Sequence, residues 1–223
     1  MNLIEDKAFI LFSRPQGETS LWLSVLTEHH GRFSLLYKGG QKKAAMCAPF
    51  APVILTWKST RQGLWLSGCE RMGFSPRLTG MANWSGLYAN ELLHKGMHDA
   101  TDMSAMFWGY QRLLQTLGQE TVSVPTISLA LRRFEWQFLQ VLGYGFPLQD
   151  VTGTSIQAQY YYRWHDDAWH LAQEGILGAQ LLTLVDDGDV SVGMALRQLL
   201  QWRLCQLLPA SAMVMRQWWE QLG

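Results

Sequence analysis

Along about the first seventy residues, apolar and polar side chains alternate with a period of two, in short runs parted by turn-forming residues. The clearest run, residues 32–38, sets Phe33, Leu35 and Tyr37 against Ser34, Leu36 and Lys38, as a strand with one buried face does. Further runs at 8–13, 20–27, 52–58 and 63–69 bring the number of predicted strands to five. Arg14-Pro15-Gln16-Gly17 breaks the first from the second, His30-Gly31 supplies the turn before the third, and Ser59-Thr60-Arg61-Gln62-Gly63 joins the last two. Five short strands with few helical signals fit a small closed barrel better than a sandwich, which needs about seven. The expected fold of residues 1–80 is an OB-like barrel.

From Trp84 the period lengthens to that of a helix. Trp84, Leu87, Tyr88 and Leu92 share one face, and Met103, Met106, Phe107, Tyr110, Leu113, Leu114 and Leu117 keep three-and-four spacing up to a stop at Gly118. After Pro125, a stripe of Ile127, Leu131, Phe134, Phe138 and Leu142 predicts a third helix ending at Gly143, and three helices in series predict a bundle. Residues 160–164 and 169–172, joined through Asp166-Asp167, predict a hairpin near 159–172. Leu196, Leu199, Leu200, Leu204 and Leu207 predict a helix over 194–208, stopped by Pro209, with a last short helix carrying Trp218 and Trp219. Periodicity and charge change together at 77–81. The expected organisation is therefore α+β: a barrel domain over 1–80, then a helical-bundle domain with a small hairpin over 81–223.

Composition sharpens this reading through the distribution of charge. With 48% hydrophobic residues, the 223-residue chain is too apolar for a disordered protein, and its 18 basic and 18 acidic side chains cancel. Residues 1–80 nevertheless hold ten Lys or Arg against five Asp or Glu, and residues 81–223 hold eight against thirteen. Between His29 and Cys69 lie Arg32, Lys38, Lys42, Lys43, Lys58 and Arg61 and no acid, which favours a polyanionic partner. Three scattered cysteines, Cys47, Cys69 and Cys205, form no CxxC pair and fit a reduced, cytoplasmic chain. Acids at Glu5 and Asp6, and the lack of any run of eighteen apolar residues, give no expectation of a signal peptide or membrane span.

Among short motifs, Lys38-Gly39-Gly40-Gln41-Lys42-Lys43 is the most informative. Its glycines let a ligand approach the backbone and its lysines offer charge to phosphates, yet it lacks the Gly-Lys-Ser/Thr ending and following helix of a nucleotide loop. Trp22, Trp57, Trp65, Phe33 and Tyr37 are candidate stacking surfaces, of which one or two are expected to face outward and the rest to be core. Glu91, His94 and His98 share a helical face at metal-like spacing, but a solvated helix face accounts for them, as exposed turn positions account for His165 and His170. No nucleophile elbow, HExxH or paired-carboxylate motif appears, so no catalytic residue, metal or cofactor is expected. Arg132 and Arg133 interrupt an apolar helix. Spacing leaves two readings open: Arg132 pairs with Glu135 at i+3, or it lies beside an exposed stretch of the preceding helix, Phe107 to Leu114, and receives an acidic peptide or carboxylate.

Several of these blocks, taken in order, resemble one family. Ala8-Phe9-Ile10-Leu11 with Ser13-Arg14-Pro15 and Glu18-Thr19-Ser20, then Leu26-Thr27-Glu28, Gly31-Arg32 and Lys38-Gly39, resemble the N-terminal domain of the RecO recombination mediators. Trp84-Ser85-Gly86-Leu87-Tyr88, Asn90-Glu91-Leu92-Leu93, Leu131-Arg132-Arg133-Phe134-Glu135 and Leu142-Gly143-Tyr144-Gly145 continue the likeness through roughly the first 150 residues. The resemblance implies a non-enzymatic, nucleoid-associated DNA-repair protein without a cofactor. It would bind single- and double-stranded DNA, anneal complementary strands, and act with RecR to help RecA replace single-strand-binding protein. The expected DNA contacts are Arg14, Arg32, Lys38, Lys42, Lys43, Lys58 and Arg61. The resemblance places the acidic C-terminal tail of single-strand-binding protein at Arg132, with Arg133, Met106, Phe107, Tyr110 and Leu114 as neighbours. Some members hold zinc through four cysteines after the Gly-Tyr block, where this chain has Gln149-Asp150-Val151-Thr152-Gly153, so zinc is not expected. Two other classes remain: a stand-alone OB module for single-stranded nucleic acid, and an enzyme using a metal on the Glu91, His94 and His98 face.

Overall fold

The computed structural model describes residues 3–73, 75–97, 104–186 and 188–208. The expected helix around Trp218 and Trp219, the stop at Pro209, Met103 and His98 lie outside them. The chain falls into two compact units, one over Met1–Glu120 and one over Thr121–Ala212.

In the first unit, β1 (Leu3–Gln16), β2 (Ser20–Thr27), β3 (Gly31–Tyr37), β4 (Pro52–Thr60) and β5 (Gly63–Arg71) close into a barrel in the order β1-β2-β3-β5-β4, the OB-like architecture expected. Alternation sends Ala8, Ile10, Leu23, Val25, Phe33, Leu35, Tyr37, Val53, Leu55, Trp57 and Leu66 into one core. One boundary differs: β1 runs through Arg14-Pro15-Gln16, and only residues 17–19 turn. β1 pairs with β4 only from Leu3 to Phe9, so Pro15 pairs with Leu21 on one side and faces no ladder on the other, an edge position of the kind that accommodates proline. A 3-10 segment, Gly40–Cys47, starts at the second glycine of the basic motif.

Helices α1 (Gly80–Gly96) and α2 (Ser104–Leu117) belong to this unit. Asn90 ties them to the barrel: its buried amide donates to the Leu11 carbonyl at 2.9 Å and accepts the Tyr110 hydroxyl. Phe107 and Tyr110 each bring a ring centroid to 5.1 Å from Phe9. The compact units thus part after Glu120, while Gly80 marks the change of charge and periodicity.

The second unit opens on α3 (Val124–Val141), capped by the Ser123 hydroxyl, which accepts from the Thr126 N–H at 3.2 Å, with Pro125 in the first turn. The hairpin forms as β6 (Tyr161–His165) and β7 (Ala168–Ala172), and Asp166 and Asp167 both take positive φ, 49° and 53°, as a two-residue turn demands. A short β8 (Ile176–Leu177) and α4 (Gly178–Leu182) were not expected; α5 (Met194–Leu207) was. The stretch after Gly145 is closed by the Asp150 carboxylate, which takes the N–H groups of Thr152 and Thr154 at 2.9 and 3.0 Å. With an internally bonded carboxylate and no thiol, this turn does not fit a zinc site. No helix among the described residues is long and apolar enough to cross a membrane.

Candidate nucleic-acid interface

Strand pairing assembles one row across the outside of the barrel: Arg14 opposite Trp22, Trp22 opposite Leu36, Leu36 opposite Trp65, and Trp65 opposite Lys58. Opposed residues share a face, and the in-pointing neighbours Leu21, Leu23, Leu35, Tyr37, Trp57 and Leu66 are buried, so this row faces out. Two cations lie on its two indoles. The Arg14 guanidinium sits 4.6 Å from the Trp22 ring and the Lys38 ammonium 4.3 Å from the Trp65 ring. Each contact is worth about 0.5–1 kcal/mol at an exposed site, little enough for a nucleobase and its phosphate to replace or share. Of the five aromatic candidates, Trp22 and Trp65 point outward; Trp57, Phe33 and Tyr37 are core.

The basic loop is held close to this row. Gly39 takes a left-handed φ of 68°, and a Cβ on Gly40 would come within 2.7 Å of the Tyr37 ring, so both glycines have a local steric reason. Gln41 fastens the loop to the β1–β2 turn, its backbone N–H donating to Thr19 at 3.0 Å and its amide to the carbonyls of Gly17 and Ser20 at 3.0 and 3.1 Å. Lys42 and Lys43 are exposed on it, Lys58 is half-buried in β4, and Arg61 is exposed in the β4–β5 turn. Arg32 is turned inward instead, with Nε and Nη2 both donating to the Met97 carbonyl, at 3.0 and 2.6 Å, so that it fastens β3 to the end of α1. Arg71, which periodicity did not single out, braces the loop from beneath by donating to the Ala45 carbonyl at 2.5 Å.

The proposed metal-like face of α1 is not a solvated one. Glu91 is buried and paired with Lys95 at 2.7 Å, and His94 shares a 2.9 Å hydrogen bond with the Ser24 hydroxyl while packing edge-on to Phe12 and Trp22. Burial, reinforced by Arg32, Lys95 and Arg14, holds the His94 imidazole below its ordinary pKa and so neutral. The helix face was misjudged because it docks on the barrel. His165 is exposed as expected, whereas His170 is half-buried.

Helix α2 corrects the expected exposure of Phe107 to Leu114. Met106, Phe107, Tyr110 and Leu114 are buried, and the outer face is Ala105, Trp108, Arg112 and Gln115. Leu114 alone of the four lines a cavity of about 470 Å³, together with Phe9, Phe50, Pro52 and Met72. In the second unit, Arg132 pairs with Glu135 at 2.7 Å, the i+3 partner, and both side chains are buried. Arg132 Nε is buried without a hydrogen-bond partner among the described residues. Arg133 is a clamp: it donates to the carbonyls of Thr183 and Asp186, each at 2.9 Å, and to that of Gly188.

Comparison with known proteins adds a family assignment to this geometry. Residues 1–71 match the family described as Recombination protein O N terminal, and residues 77–202 match Recombination protein O C terminal. A protein named DNA repair protein RecO from Serratia proteamaculans is 36% identical over 155 residues, 68% of this chain and 63% of that protein. Its namesake in Erwinia tasmaniensis is 35% identical over 153 residues, covering 67% and 61%. The namesake in Hamiltonella defensa is 36% identical over 189 residues, covering 80% of each chain. The matches to the first two span less than two thirds of those proteins.

Proposed function

Because the chain belongs to the RecO family of DNA repair proteins, we propose that it is a non-enzymatic recombination mediator whose barrel binds DNA along the Arg14–Trp22–Trp65–Lys58 row. The observation that carries this reading is the pairing of two outward indoles with two cations on one barrel face. Phosphates meet Arg14, Lys38, Lys42, Lys43, Lys58 and Arg61, and unstacked bases meet Trp22 and Trp65. No side chain here reads base edges from a helix, so binding is independent of sequence and serves single and double strands alike. Lowered repulsion between strands on this surface supports annealing, with base pairing as the driving force and no nucleotide required. Arg32 leaves the list of contacts, since it holds α1.

Partnership with RecR, and through it with RecA on DNA coated by single-strand-binding protein, is proposed from family membership. For the acidic tail of that protein, Arg132 is the proposed carboxylate contact on family membership; its side chain is buried against Glu135, so the tail must displace part of that packing to reach the guanidinium. A stand-alone single-strand-binding module is the second reading, and a tail contact separates the two. The commitment of Glu91 and His94 to internal partners supports a mediator over a metalloenzyme.

Trp22→Ala and Trp65→Ala test the reading. Each should weaken binding of an oligothymidylate by about 1–3 kcal/mol, or roughly five- to 150-fold, while leaving the unfolding transition cooperative. Full affinity in both variants would place the DNA elsewhere.

A further inference from the structure

At the end of β1 away from the proposed DNA row, the barrel holds a cluster that the DNA-binding reading does not use. Asp6 is buried, and its carboxylate receives the N–H of Lys7, the N–H and Nδ1 of His29, and Nδ1 of His30, all at 2.9 Å. Glu28 stands beside it, half-buried and paired with Lys7 at 3.2 Å. One donor atom each from Asp6, Glu28 and His29 lies within 4.8 Å of the other two.

We propose that Asp6, Glu28 and His29 form a binding site for a divalent transition-metal ion of the zinc or cobalt type, with His30 as its outer-shell support. Three features carry the inference. First, a four-coordinate ion with bonds of about 2.0–2.1 Å places its donors roughly 3.3 Å apart, and the His29 Nδ1 to Asp6 Oδ1 separation of 2.9 Å is already near that. The ion takes the place of the proton shared between these atoms, and Glu28 turns from Lys7 to become the third ligand, leaving water for the fourth position. Second, the other oxygen of Asp6 is held by His30 Nδ1 and the His29 N–H, the kind of outer-shell bonding that fixes a ligating carboxylate. Third, the turn bearing both histidines is rigid. Thr27 Oγ1 accepts the His30 N–H at 3.1 Å and donates to the Gly31 carbonyl at 3.0 Å, and Glu28 N–H donates to the Lys7 carbonyl at 2.9 Å. One imidazole and two carboxylates suit zinc or cobalt better than the all-oxygen shells of magnesium or calcium. The bound ion staples β1 to the β2–β3 turn.

The test is a titration of the full chain with Co²⁺, followed by visible absorption, and with Zn²⁺, followed by the shift in melting temperature. Because Asp6 is buried and its loss endangers the fold, the variants are His29→Gln and Glu28→Gln, with His165→Gln as control. One ion per chain, nitrogen and oxygen ligand bands, a rise in melting temperature with Zn²⁺, and at least a tenfold weaker Kd in both variants but not in the control are expected. Lys7→Met, which frees Glu28, should tighten binding about threefold or more. Absence of binding in the unaltered chain, the same Kd in the variants, or a thiolate-to-cobalt charge-transfer band, which would place the ion on a cysteine, each overturns the proposal.

Discussion

Arg132→Ala removes one partner of an ion pair whose side chains are only 7% and 1% exposed, with 2.7 Å between Nη1 and Oε2. Were the pair on the surface, its i+3 spacing would contribute a few tenths of a kcal/mol. Burial changes the magnitude by about tenfold, because deleting the guanidinium leaves the Glu135 carboxylate in a dry site without this counter-charge, at a cost of about 3–5 kcal/mol. Replacing both members with apolar side chains of similar volume, Arg132→Met with Glu135→Leu, removes the uncompensated charge and the unpaired Nε–H together. The double variant should return to the stability of the unaltered chain or exceed it. Urea unfolding followed by far-ultraviolet circular dichroism measures both, with a constant m-value as the check that the unfolded states are comparable. A cost below about 1 kcal/mol for Arg132→Ala, or a double variant as unstable as the single one, would refute the reasoning. The outcome also bears on function: tail binding by Arg132→Ala is interpretable only where the variant is folded, and Arg132→Lys supplies the milder comparison.

Two further predictions concern the docking of the helices on the barrel. Asn90→Leu, close in volume, deprives the Leu11 carbonyl and the Tyr110 hydroxyl of their shared partner and should cost about 2–6 kcal/mol, some 1–3 for each group, with partial recovery when Tyr110→Phe is added. His94 has a depressed folded pKa, so below its ordinary value of 6.5 the unfolded chain takes up a proton that the folded chain refuses. Its contribution is complete above that pH and is lost as pH falls towards the folded value; the stability advantage over His94→Gln, from urea midpoints between pH 5 and 8, should shrink on acidification.

Elements with a strong local period were legible in the chain. Alternation located all five barrel strands, Pro125 marked the start of α3, and Asp166-Asp167 marked the hairpin turn. Elements too short to show a period, β8 and α4, were not, nor was the 3-10 segment, which has no apolar face to reveal it. The proposed interface was legible in its residue types but not its arrangement: Arg14, Trp22, Leu36, Trp65 and Lys58 become neighbours only through strand register. The partners that Arg32 and Arg133 hold could not be read, because they are backbone carbonyls, which leave no mark on side-chain spacing. The partner of Arg132 could be read at i+3; its burial could not, since burial depends on what the rest of the chain lays over it. Asp6 and His29, separated by 22 intervening residues, meet only because Ala8 pairs with Thr27.

The most direct test of the DNA-binding account is the salt dependence of DNA affinity in the unaltered chain and in the Lys38→Ala, Lys42→Ala, Lys43→Ala triple variant. If the loop lysines meet phosphates, each lost contact makes the slope of log affinity against log salt shallower by about 0.7 on single strands and about 0.9 on duplex, or roughly 2 and 2.7 for three. Affinity should fall alike for all sequences. An unchanged slope on both probes, in a variant that unfolds at the same urea midpoint, would contradict the placement of DNA on this face of the barrel.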